Sequence, residues 1–558
     1  MPQFLPYLLL LLFAFTSEPA NAAAPQAPEL PPHLLLSGNL VTPQGILPHG
    51  WLDIVNGRIV AIDRERPEDI LKISGTTVLE TSDLIFPGFV DLHNHPSFNV
   101  FPRWTPPHKF PNRYAWRDWH VYQEQLENKG YALAADPGAF CDVDEYVEIK
   151  ALIGGTTSMI GLGSNDPAHP SQDCLRGLVR NLDHYTGFYG KALDHERIAN
   201  SIGILPRDMS AERAANYARA IADGSLDLLA IHIAEGLPTD EESAQELDKL
   251  EAHGLLTSHT ALIHSVGLSE SQLARVHRAG ASIVWSPRSN FELYGATANV
   301  DAAFREGVTI SLAPDWSPSG SDNMWEEIQY ASQVSTPQLN NLFTARQLVE
   351  MASAIPARVA HIDDKVGSLS PGMLADLFLV QGGPEAKPHE PYETILRKSI
   401  TAIDLVIIDG VPVYGDPAML KSIHVDTEIF ELCGTQKALN TAALPNGSFA
   451  QVESRLRERM KSLGSELGPL DSCQPDTRTP ANQSSKRRPA PCSRKSARER
   501  VRCAELCPSS HRRPMHARDR PHTHLQPAPD LAGLHHVGRD CPSQQFPRCC
   551  EPRKTACG

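Results

Sequence analysis

The chain has 558 residues, of which 41% are hydrophobic and 21% charged, as in a globular protein with room for one large domain and appendages. Its net charge of −15 is uneven, because the residues from Cys473 onward carry 17 Lys and Arg against 7 Asp and Glu. The body of the chain is therefore strongly acidic, which argues against nucleic acid as its partner. Only Cys141, Cys174 and Cys433 precede this basic tail, so we do not expect a disulfide scaffold.

The N-terminus is typical of a secretory signal peptide. The apolar run Leu5–Phe15 is too short to span a bilayer, and Ala20-Asn21-Ala22 is a small-x-small cleavage site. No Lys or Arg precedes the run, so an uncleaved membrane anchor is the alternative. We assign residues 1–22 as a signal peptide and expect an exported protein, periplasmic or secreted, without stable membrane insertion.

Short β-rich runs flank the middle of the chain on both sides. Residues 34–85 contain several runs joined by turn residues, among them Asn56-Gly57, a strong hairpin signal. Residues 366–415 have the same character. Because neither flank can bury a core alone, we predict one small composite β-sandwich built from both.

The central residues 86–362 alternate apolar, strand-like runs with amphipathic stretches such as Glu241–His253. The predicted strands are Phe86–Asp91, Thr156–Gly161, Leu178–Asp183, Asn200–Leu205, Leu228–Ala234, Ala261–His264, Ser282–Ser286 and Val308–Ala313. Eight such units predict an α/β fold of the (β/α)8 TIM-barrel type, in which functional residues stand at the carboxyl ends of the strands. A doubly wound open sheet is the alternative, but no Gly-rich phosphate loop follows the first strand.

Two further segments follow the second flank. Residues 425–472 contain an amphipathic pattern in which Phe449, Val452, Leu456 and Met460 recur at steps of three and four, so we predict a helical C-terminal extension. Residues 473–558 are basic and rich in Cys and Pro without periodicity, which predicts a disordered tail.

Ionisable residues stand at the carboxyl ends of four predicted strands. His93 and His95 are spaced i, i+2, so they point to the same side of an extended chain. The other three ends carry, in chain order, His232, His264 and Asp315. Imidazole and carboxylate groups aimed at one point suit a divalent metal such as zinc. The four strand ends together predict a metal centre.

At these residues the chain resembles the amidohydrolase superfamily, in particular the branch with triazine hydrolases, guanine deaminase and S-adenosylhomocysteine deaminase. The resemblance covers about Leu34 to Tyr414. It rests on five motifs: Pro87-Gly-Phe-Val-Asp-Leu-His-Asn-His95, Gly154-Gly-Thr-Thr157, His232-x-x-Glu235, Ser286-Pro-Arg-Ser-Asn290, and Pro356-Ala-Arg358 before Gly367-Ser-Leu-x-Pro-Gly-x-x-Ala-Asp376. A composite β-sandwich beside a barrel is also the arrangement of this superfamily.

The resemblance implies one divalent metal ion, zinc by preference and Fe²⁺ as the alternative. The implied metal ligands are His93, His95, His232 and Asp315. It also implies three catalytic residues: Asp315 as proton acceptor, His264 as hydrogen-bond partner of the water or substrate, and Glu235 as the proton shuttle to a substrate nitrogen. The implied activity is hydrolysis of a non-peptide C–N bond in a small molecule, by deaminase-type attack of metal-bound hydroxide on an sp² carbon.

Two departures from the superfamily pattern affect these expectations. The predicted fourth strand, Asn200–Leu205, has no lysine that could bridge two metals, which favours a single ion. Trp285 stands where many relatives have a histidine, so the substrates of the well-known deaminases do not transfer directly. An exported amide, cyclic imide or lactam hydrolase and a non-catalytic metal-binding barrel remain as alternatives, and a homo-oligomer stays open.

The loop after the first strand is long and rich in aromatic residues and arginine, as expected for one wall of a substrate pocket. Arginines there would bind a carboxylate, and tryptophans would stack on a planar ring. With residues after strands three and seven, the substrate-binding candidates are Arg103, Trp104, Arg113, Trp116, His184, Trp285 and Arg288. The alternative is a loop packed on the rim of the barrel with solvated arginines.

Overall fold

The computed structural model describes residues 33–161, 178–182, 198–339, 341–382 and 391–473. Four strands come first: β1 (His33–Thr42), β2 (Gly45–Val55), β3 (Arg58–Asp63) and β4 (Thr76–Pro87). Asn56 and Gly57 connect β2 to β3 with φ of 51° and 78°. Two consecutive positive φ angles are what a tight hairpin turn of type I′ requires, which is why Asn-Gly occurs there.

Eight short parallel strands carry the central part of the chain. They are β5 (Phe89–Asp91), β6 (Thr156–Met159), β7 (Arg180–Asn181), β8 (Ile198–Ser201), β9 (Leu228–Ile233), β10 (Thr260–His264), β11 (Ser282–Trp285) and β12 (Thr309–Leu312). They pair in chain order as two sheets, β5 to β7 and β8 to β12. A single bridge between Asn94 and Asp315 connects the ends of β5 and β12, whereas no pairing between described residues joins β7 to β8. The fold is therefore TIM-barrel-like, and closure of the barrel by hydrogen bonds is not observed.

In the described ranges, sixteen α-helices lie between and after these strands. They are α1 (Arg113–Arg117), α2 (His120–Tyr122), α3 (Asn128–Ala134), α4 (Pro137–Leu152), α5 (Ala211–Asp223), α6 (Glu241–Ala244), α7 (Glu246–Ala252), α8 (Glu270–Ala279), α9 (Pro287–Tyr294), α10 (Val300–Glu306), α11 (Met324–Gln338), α12 (Ala345–Glu350), α13 (Ala354–Val359), α14 (Pro391–Arg397), α15 (Pro417–Ser422) and α16 (Phe449–Ser462). Local sequence sets their ends. α8, for example, begins with a capping box between Ser269 and Gln272 and ends at Gly280, whose φ is 71°.

The two flanks of the chain form one β domain, as predicted. The last five strands are β13 (Leu377–Val380), β14 (Ile403–Ile408), β15 (Val411–Gly415), β16 (Thr427–Leu432) and β17 (Thr435–Asn440). They join β1–β4 in a nine-stranded sheet of order β16-β17-β15-β14-β13-β4-β1-β2-β3. The flanks meet where β13 pairs antiparallel with β4, and buried side chains from both, such as Leu36, Ile85, Leu379 and Ile407, share one apolar cluster.

The extension after residue 425 differs from its prediction, because it begins with the β16–β17 hairpin. Most side chains of β16 are exposed or half-buried, so this strand lacks the alternating apolar pattern that would have revealed it. The predicted helix follows as α16, and it buries the expected apolar residues. Its Phe449 ring stacks on Tyr146 of α4 with the centroids 6.1 Å apart.

A disulfide between Cys433, in the β16–β17 turn, and Cys473 ends the described chain. This pairing was not predicted, because cysteine spacing does not give connectivity. Residues 464–473, here called the C-terminal strap, return to the central domain, where Gly468 N donates to Val100 O at 2.7 Å and Tyr146 OH donates to Gly468 O at 2.6 Å. The predicted signal peptide and most of the predicted tail lie outside the described residues. None of the helices described here has the length and apolar character of a membrane span.

Candidate metal centre and active site

Five side chains from four strand ends converge, as the sequence predicted. The Oδ1 atom of Asp315 lies 3.0 Å from His93 Nε2 and 3.5 Å from His95 Nε2. His232 and His264 complete the group, since their ring centroids lie 4.8 Å and 4.9 Å from that of His93. Possible ligand atoms lie within 4.8 Å of one another both in the set of His93, His95 and Asp315 and in the set of His93, His232 and His264.

The protonation states of these groups fit a divalent cation. Burial lowers the pKa of His93 and of His232 and lowers that of His95 to about 4. Burial alone would raise the pKa of Asp315, but the neighbouring histidines, His93 above all, hold it below its usual range. Neutral imidazoles and an ionised carboxylate are the forms that bind a metal.

The buried imidazole of His93 also fits a metal ligand. His93 is completely buried, yet among the described residues neither of its ring nitrogens has a hydrogen-bond partner of good geometry. Buried polar atoms normally find a partner. As ligands of a cation, His93 and Asp315 would both be satisfied, so the donor set fits a metal.

The chain leaves three of these strands through left-handed backbone conformations. Ala234 after β9, His264 at the end of β10 and Asp315 after β12 have φ of 52°, 66° and 68°. For residues other than glycine each such conformation costs about 1–3 kcal/mol, and this cost is characteristic of active sites. The sharp turns aim His264 and Asp315 at the common centre.

Neighbouring acceptors orient two of the imidazoles. His232 Nδ1 donates to Ser201 O at 3.2 Å, and His264 Nδ1 donates to the Asn290 side chain at 2.9 Å. A ring nitrogen held in this way fixes the tautomer and leaves Nε2 for the centre. Asn290 belongs to the Ser286-Pro-Arg-Ser-Asn290 motif, whose contribution to the site is thus the orientation of His264.

Glu235 is buried next to His264, with its Oε1 atom 3.6 Å from His264 Nε2. Tyr294 OH donates to the same Oε1 atom at 2.5 Å, and Trp116 Nε1 donates to Tyr294 OH at 2.8 Å. Glu235 and Trp116 were predicted as site residues. Tyr294 was not predicted, because it is the last residue of α9 and belongs to none of the motifs.

A cavity with about 140 Å³ of space accessible to water opens over this centre. Besides the site residues His95, His232, Glu235, His264 and Asp315, the lining consists of Phe98, Arg113, Trp116, Arg117, Tyr122, Glu127, Tyr131, Ile202 and Trp316. Aromatic rings dominate these walls, as expected for a site that takes a flat molecule. Arg113 and Trp116 were predicted. Trp316 directly follows Asp315 in sequence. The lining residues between 117 and 131 lie in short helical segments and had no signal in the sequence.

The arginines of the cavity wall are already paired. Arg113 donates to Asp208 at 2.5 Å and to Ile202 O at 2.8 Å, and Arg117 donates to the other Asp208 oxygen at 2.8 Å. Burial alone would raise the pKa of Asp208, but Arg113 and Arg117 together lower it. Arg113 is fully buried, so the side chain with free surface for a substrate group is Arg117.

Two other predicted arginines lie away from this cavity. Arg103 donates to Gly320 O at 2.7 Å, and its guanidinium lies 3.8 Å from Glu326 Oε2. Arg288 approaches the same Glu326 oxygen at 3.8 Å and covers the Tyr330 ring at 4.8 Å. Both side chains therefore compensate a carboxylate inside the protein, where an unpaired charge would be costly.

Two predicted tryptophans also lie outside the cavity lining. Trp104 donates to Gln125 at 3.0 Å and packs behind Tyr122, with ring centroids 5.8 Å apart. Trp285 is completely buried and donates to Thr297 at 2.7 Å. The seventh predicted residue, His184, lies outside the described residues.

Comparisons with known proteins agree with the site. The model of the amidohydrolase family matches residues 84–413. A 5-methylthioadenosine/S-adenosylhomocysteine deaminase of Acetivibrio thermocellus is 23% identical over 398 residues, covering 65% of this chain and 89% of the relative. A 5′-deoxyadenosine deaminase of Methanothermobacter thermautotrophicus is 23% identical over 414 residues, covering 68% and 92%.

Solved structures share the fold. An adenosine deaminase from Xanthomonas campestris with bound zinc has a TM-score of 0.58 at 18% identity, covering 78% of this chain and all of that chain. The guanine deaminase of E. coli has a TM-score of 0.54 at 17% identity, covering 69% and 99%. With the family match over more than half of its length, the chain belongs to the amidohydrolase family and is a hydrolase that acts on carbon–nitrogen bonds other than peptide bonds.

Proposed function

We propose that this chain is a zinc-dependent aminohydrolase that releases ammonia from an sp² carbon of a planar nitrogen heterocycle. The observation that carries the proposal is the position of Glu235, which is buried 3.6 Å from His264 beside the metal-binding set and lines an aromatic cavity. A carboxyl group so placed can protonate a ring nitrogen while water attacks the adjacent carbon. Relatives named as deaminases support the same reaction.

One zinc ion would be held by four residues: His93, His95, His232 and Asp315. When bound, such an ion lowers the pKa of water to near 7 and makes a nucleophile available at neutral pH. A nitrogen and oxygen donor set suits zinc, and the similar adenosine deaminase structure contains it. A single ion is supported by β8, which has no lysine among Ile198–Ser201 to bridge a second cation. We also propose that the eight parallel strands form a closed barrel, which their pairing order supports.

The side chains of the site divide the proton transfers. Asp315, held in its ionised form, accepts a proton from the attacking water, and His264 Nε2 exchanges a hydrogen bond with that water. Glu235 gives its proton to the ring nitrogen. The proton taken up by Asp315 passes to the amine as the C–N bond breaks, and the proton of the hydroxyl left on carbon returns to Glu235. The water oxygen remains on carbon and the nitrogen leaves as ammonia. Trp116 and Trp316 stack on the ring and exclude bulk water.

Ammonia release across a compound panel tests this proposal. The purified protein is analysed for metal, loaded with zinc, and assayed on aminopurines, aminopyrimidines and aminotriazines beside cyclic imides, lactams and amides. We expect ammonia from at least one aminated ring, with loss of the activity in the Glu235→Gln variant and after chelation. Hydrolysis confined to imides, lactams or amides would replace the proposal by the alternative hydrolase. A metal-free protein without turnover of any compound would support a non-catalytic barrel.

We further propose that the protein is exported. The signal-peptide pattern of residues 1–22 supports this, as does the Cys433–Cys473 disulfide, because disulfides persist in oxidising compartments. The N-terminal sequence of protein from fractionated cells should begin just after Ala22. A full-length cytoplasmic form would contradict the proposal.

A further inference from the structure

A chain of two hydrogen bonds runs from the cavity wall to Glu235. Trp116 Nε1 donates to Tyr294 OH at 2.8 Å, and Tyr294 OH donates to Glu235 Oε1 at 2.5 Å. The side chains of Trp116, Tyr294 and Glu235 are 8%, 3% and 3% exposed, so water competes little for these bonds. We propose that Tyr294 is a positioning residue that holds Glu235 for proton transfer, an inference that rests on the proposed function.

The direction of the two bonds follows from the donor chemistry. An indole nitrogen can only donate, so Trp116 occupies a lone pair of the Tyr294 oxygen. The hydroxyl hydrogen is then free to point away from Trp116 and towards Glu235. The bond from Tyr294 becomes charge-assisted, and about twice as strong as a neutral one, once Glu235 has given up its proton. Trp116 thus fixes the orientation of Tyr294, and Tyr294 fixes that of Glu235.

A single helix, α9, orients both His264 and Glu235. Asn290 and Tyr294 are one turn apart on α9, at i and i+4, and therefore share a face of the helix. Asn290 accepts from His264 Nδ1 at 2.9 Å, while Tyr294 donates to Glu235. The 3.6 Å separation of His264 Nε2 and Glu235 Oε1 is thus maintained from α9.

Tyr294 stays protonated at neutral pH. Burial and the adjacent Glu235 carboxylate together raise the pKa of Tyr294 well above its ordinary value. The phenol therefore acts as a permanent donor and not as the group that transfers the proton. Its role is to restrict the carboxylate to the rotamer that faces the cavity.

The test compares two buried tyrosines that differ in their hydroxyl contacts. Tyr294→Phe removes the bond to Glu235, whereas Tyr414→Phe, in β15, removes a buried hydroxyl that has no hydrogen-bond partner in the part of the chain that the structure describes. Both zinc-loaded variants are assayed with the panel compound that the unmodified enzyme deaminates fastest. We expect Tyr294→Phe to lower kcat about 10- to 100-fold with KM within about twofold, as for loss of a hydrogen bond to a charged group. Tyr414→Phe should leave both constants unchanged.

A second measurement needs no substrate. The thermal unfolding midpoints of the zinc-loaded unmodified protein, Tyr294→Phe, Glu235→Leu and the double variant form a double-mutant cycle. We expect the loss caused by Tyr294→Phe to be smaller in the Glu235→Leu background, since the Glu235 acceptor is then absent and only the bond from Trp116 is lost. Equal losses in both backgrounds would overturn the proposed contact.

The two proposals fail in distinguishable ways. If the unmodified enzyme releases ammonia and Tyr294→Phe retains its kcat, only the positioning role of Tyr294 is overturned. If the unmodified enzyme deaminates no compound, the proposed function is wrong and the positioning role is overturned with it. Zinc content and the circular dichroism spectrum of Tyr294→Phe must match those of the unmodified protein, which separates a kinetic defect from misfolding.

Discussion

Arg180 and Asp376 form a buried, bidentate ion pair between the third parallel strand and the residue before β13. Arg180 Nε lies 3.0 Å from Asp376 Oδ2, and Arg180 Nη2 lies 2.9 Å from Oδ1. Both side chains are about 2% exposed. Asp376 Oδ1 also accepts from Asp409 N at 2.7 Å, so one carboxylate connects the parallel strands to the nine-stranded sheet.

Replacing this carboxylate should destabilise the fold strongly. Asp376→Asn keeps the shape of the side chain but removes the carboxylate that binds Arg180 through two bonds, so that Arg180 keeps the more distant Asp409 carboxylate at 4.0 Å. Breaking a buried pair in this way costs about 3–5 kcal/mol of unfolding free energy. Urea denaturation measures the loss. The control is Asp301→Asn, which breaks the exposed Arg305–Asp301 pair and should cost less than about 1 kcal/mol. Equal losses for the two variants would show that the buried pair has no special weight.

Removal of a ligand should remove the metal. His93→Ala takes away a buried imidazole at the middle of the convergent set, so zinc per chain should fall from near one to near zero, with loss of turnover. Metal analysis after dialysis against a weak chelator provides the measurement. His253→Ala, on an exposed residue after α7, is the matched control and should retain its zinc. A His93→Ala protein with a full zinc complement would contradict the assigned ligand set.

Two tryptophans of the active-site face should behave differently. Trp316 lines the cavity and packs against Trp116 with the ring centroids 5.7 Å apart, whereas Trp104 lies behind Tyr122. Trp316→Leu should raise KM about tenfold through loss of stacking, and Trp104→Leu should leave KM within about twofold. Steady-state kinetics on the best panel substrate decide between them. A larger KM effect at Trp104 would restore its role in substrate binding.

A buried carboxyl should give the stability a measurable pH dependence. Burial raises the pKa of Glu327 to about 8, despite the opposing charge of Arg288. In the unfolded chain a glutamate loses its proton near pH 4.3, so between these values the folded state binds more protons than the unfolded state. The contribution of Glu327 is therefore fully present below about pH 4 and is lost as the pH rises through 8, at up to about 1.4 kcal/mol per pH unit.

Glu327→Gln removes that proton without changing the shape of the side chain. Unfolding free energies measured from pH 5 to 8 should fall less steeply with pH in this variant than in the unmodified protein. Glu458→Gln, on the exposed face of α16, is the control and should not change the slope. An unchanged slope in Glu327→Gln would mean that this carboxyl is already ionised in the folded protein.

The disulfide that ends the described chain should contribute substantially to stability. It closes a loop of 40 residues between Cys433 and Cys473. The chain-entropy model assigns about 4 kcal/mol to a loop of this length. Cys433→Ser and Cys473→Ser should each lower the unfolding free energy by this amount, and the double variant should lose no more than either single one. Additive losses would mean that the cysteines act independently of their bond.

The convergence of the strand-end side chains could be predicted from sequence because parallel strands place their carboxyl ends on one face. His93 and His95 needed only the two-residue period of a strand, and His232, His264 and Asp315 each follow a continuous apolar run. The order of the strands within each of the two parallel sheets followed in the same way, since every strand there pairs with its neighbour in the chain. These features depend on local periodicity and on one rule of topology.

Side-chain direction in loops and short helices could not be predicted. Arg103 and Arg288 looked like anion-binding groups by type, but both approach Glu326, which is distant from them in sequence. Tyr294 was missed for the opposite reason, because a tyrosine at the end of a short helix is unremarkable until its partner Glu235 is known. Edge strands such as β16, which bury few side chains, give no period to detect.

The metal-binding set and most of the cavity wall lie in separate stretches of this chain. The metal-binding set comes from the ends of β5, β9, β10 and β12, whereas most of the cavity wall comes from the single segment 98–131 between β5 and β6. A replacement of that segment that kept Trp116, and with it the bond to Tyr294, would change which molecule fits while leaving the metal-binding set in place. One stretch of about 34 residues could therefore alter substrate choice without altering the strand ends that carry the reaction.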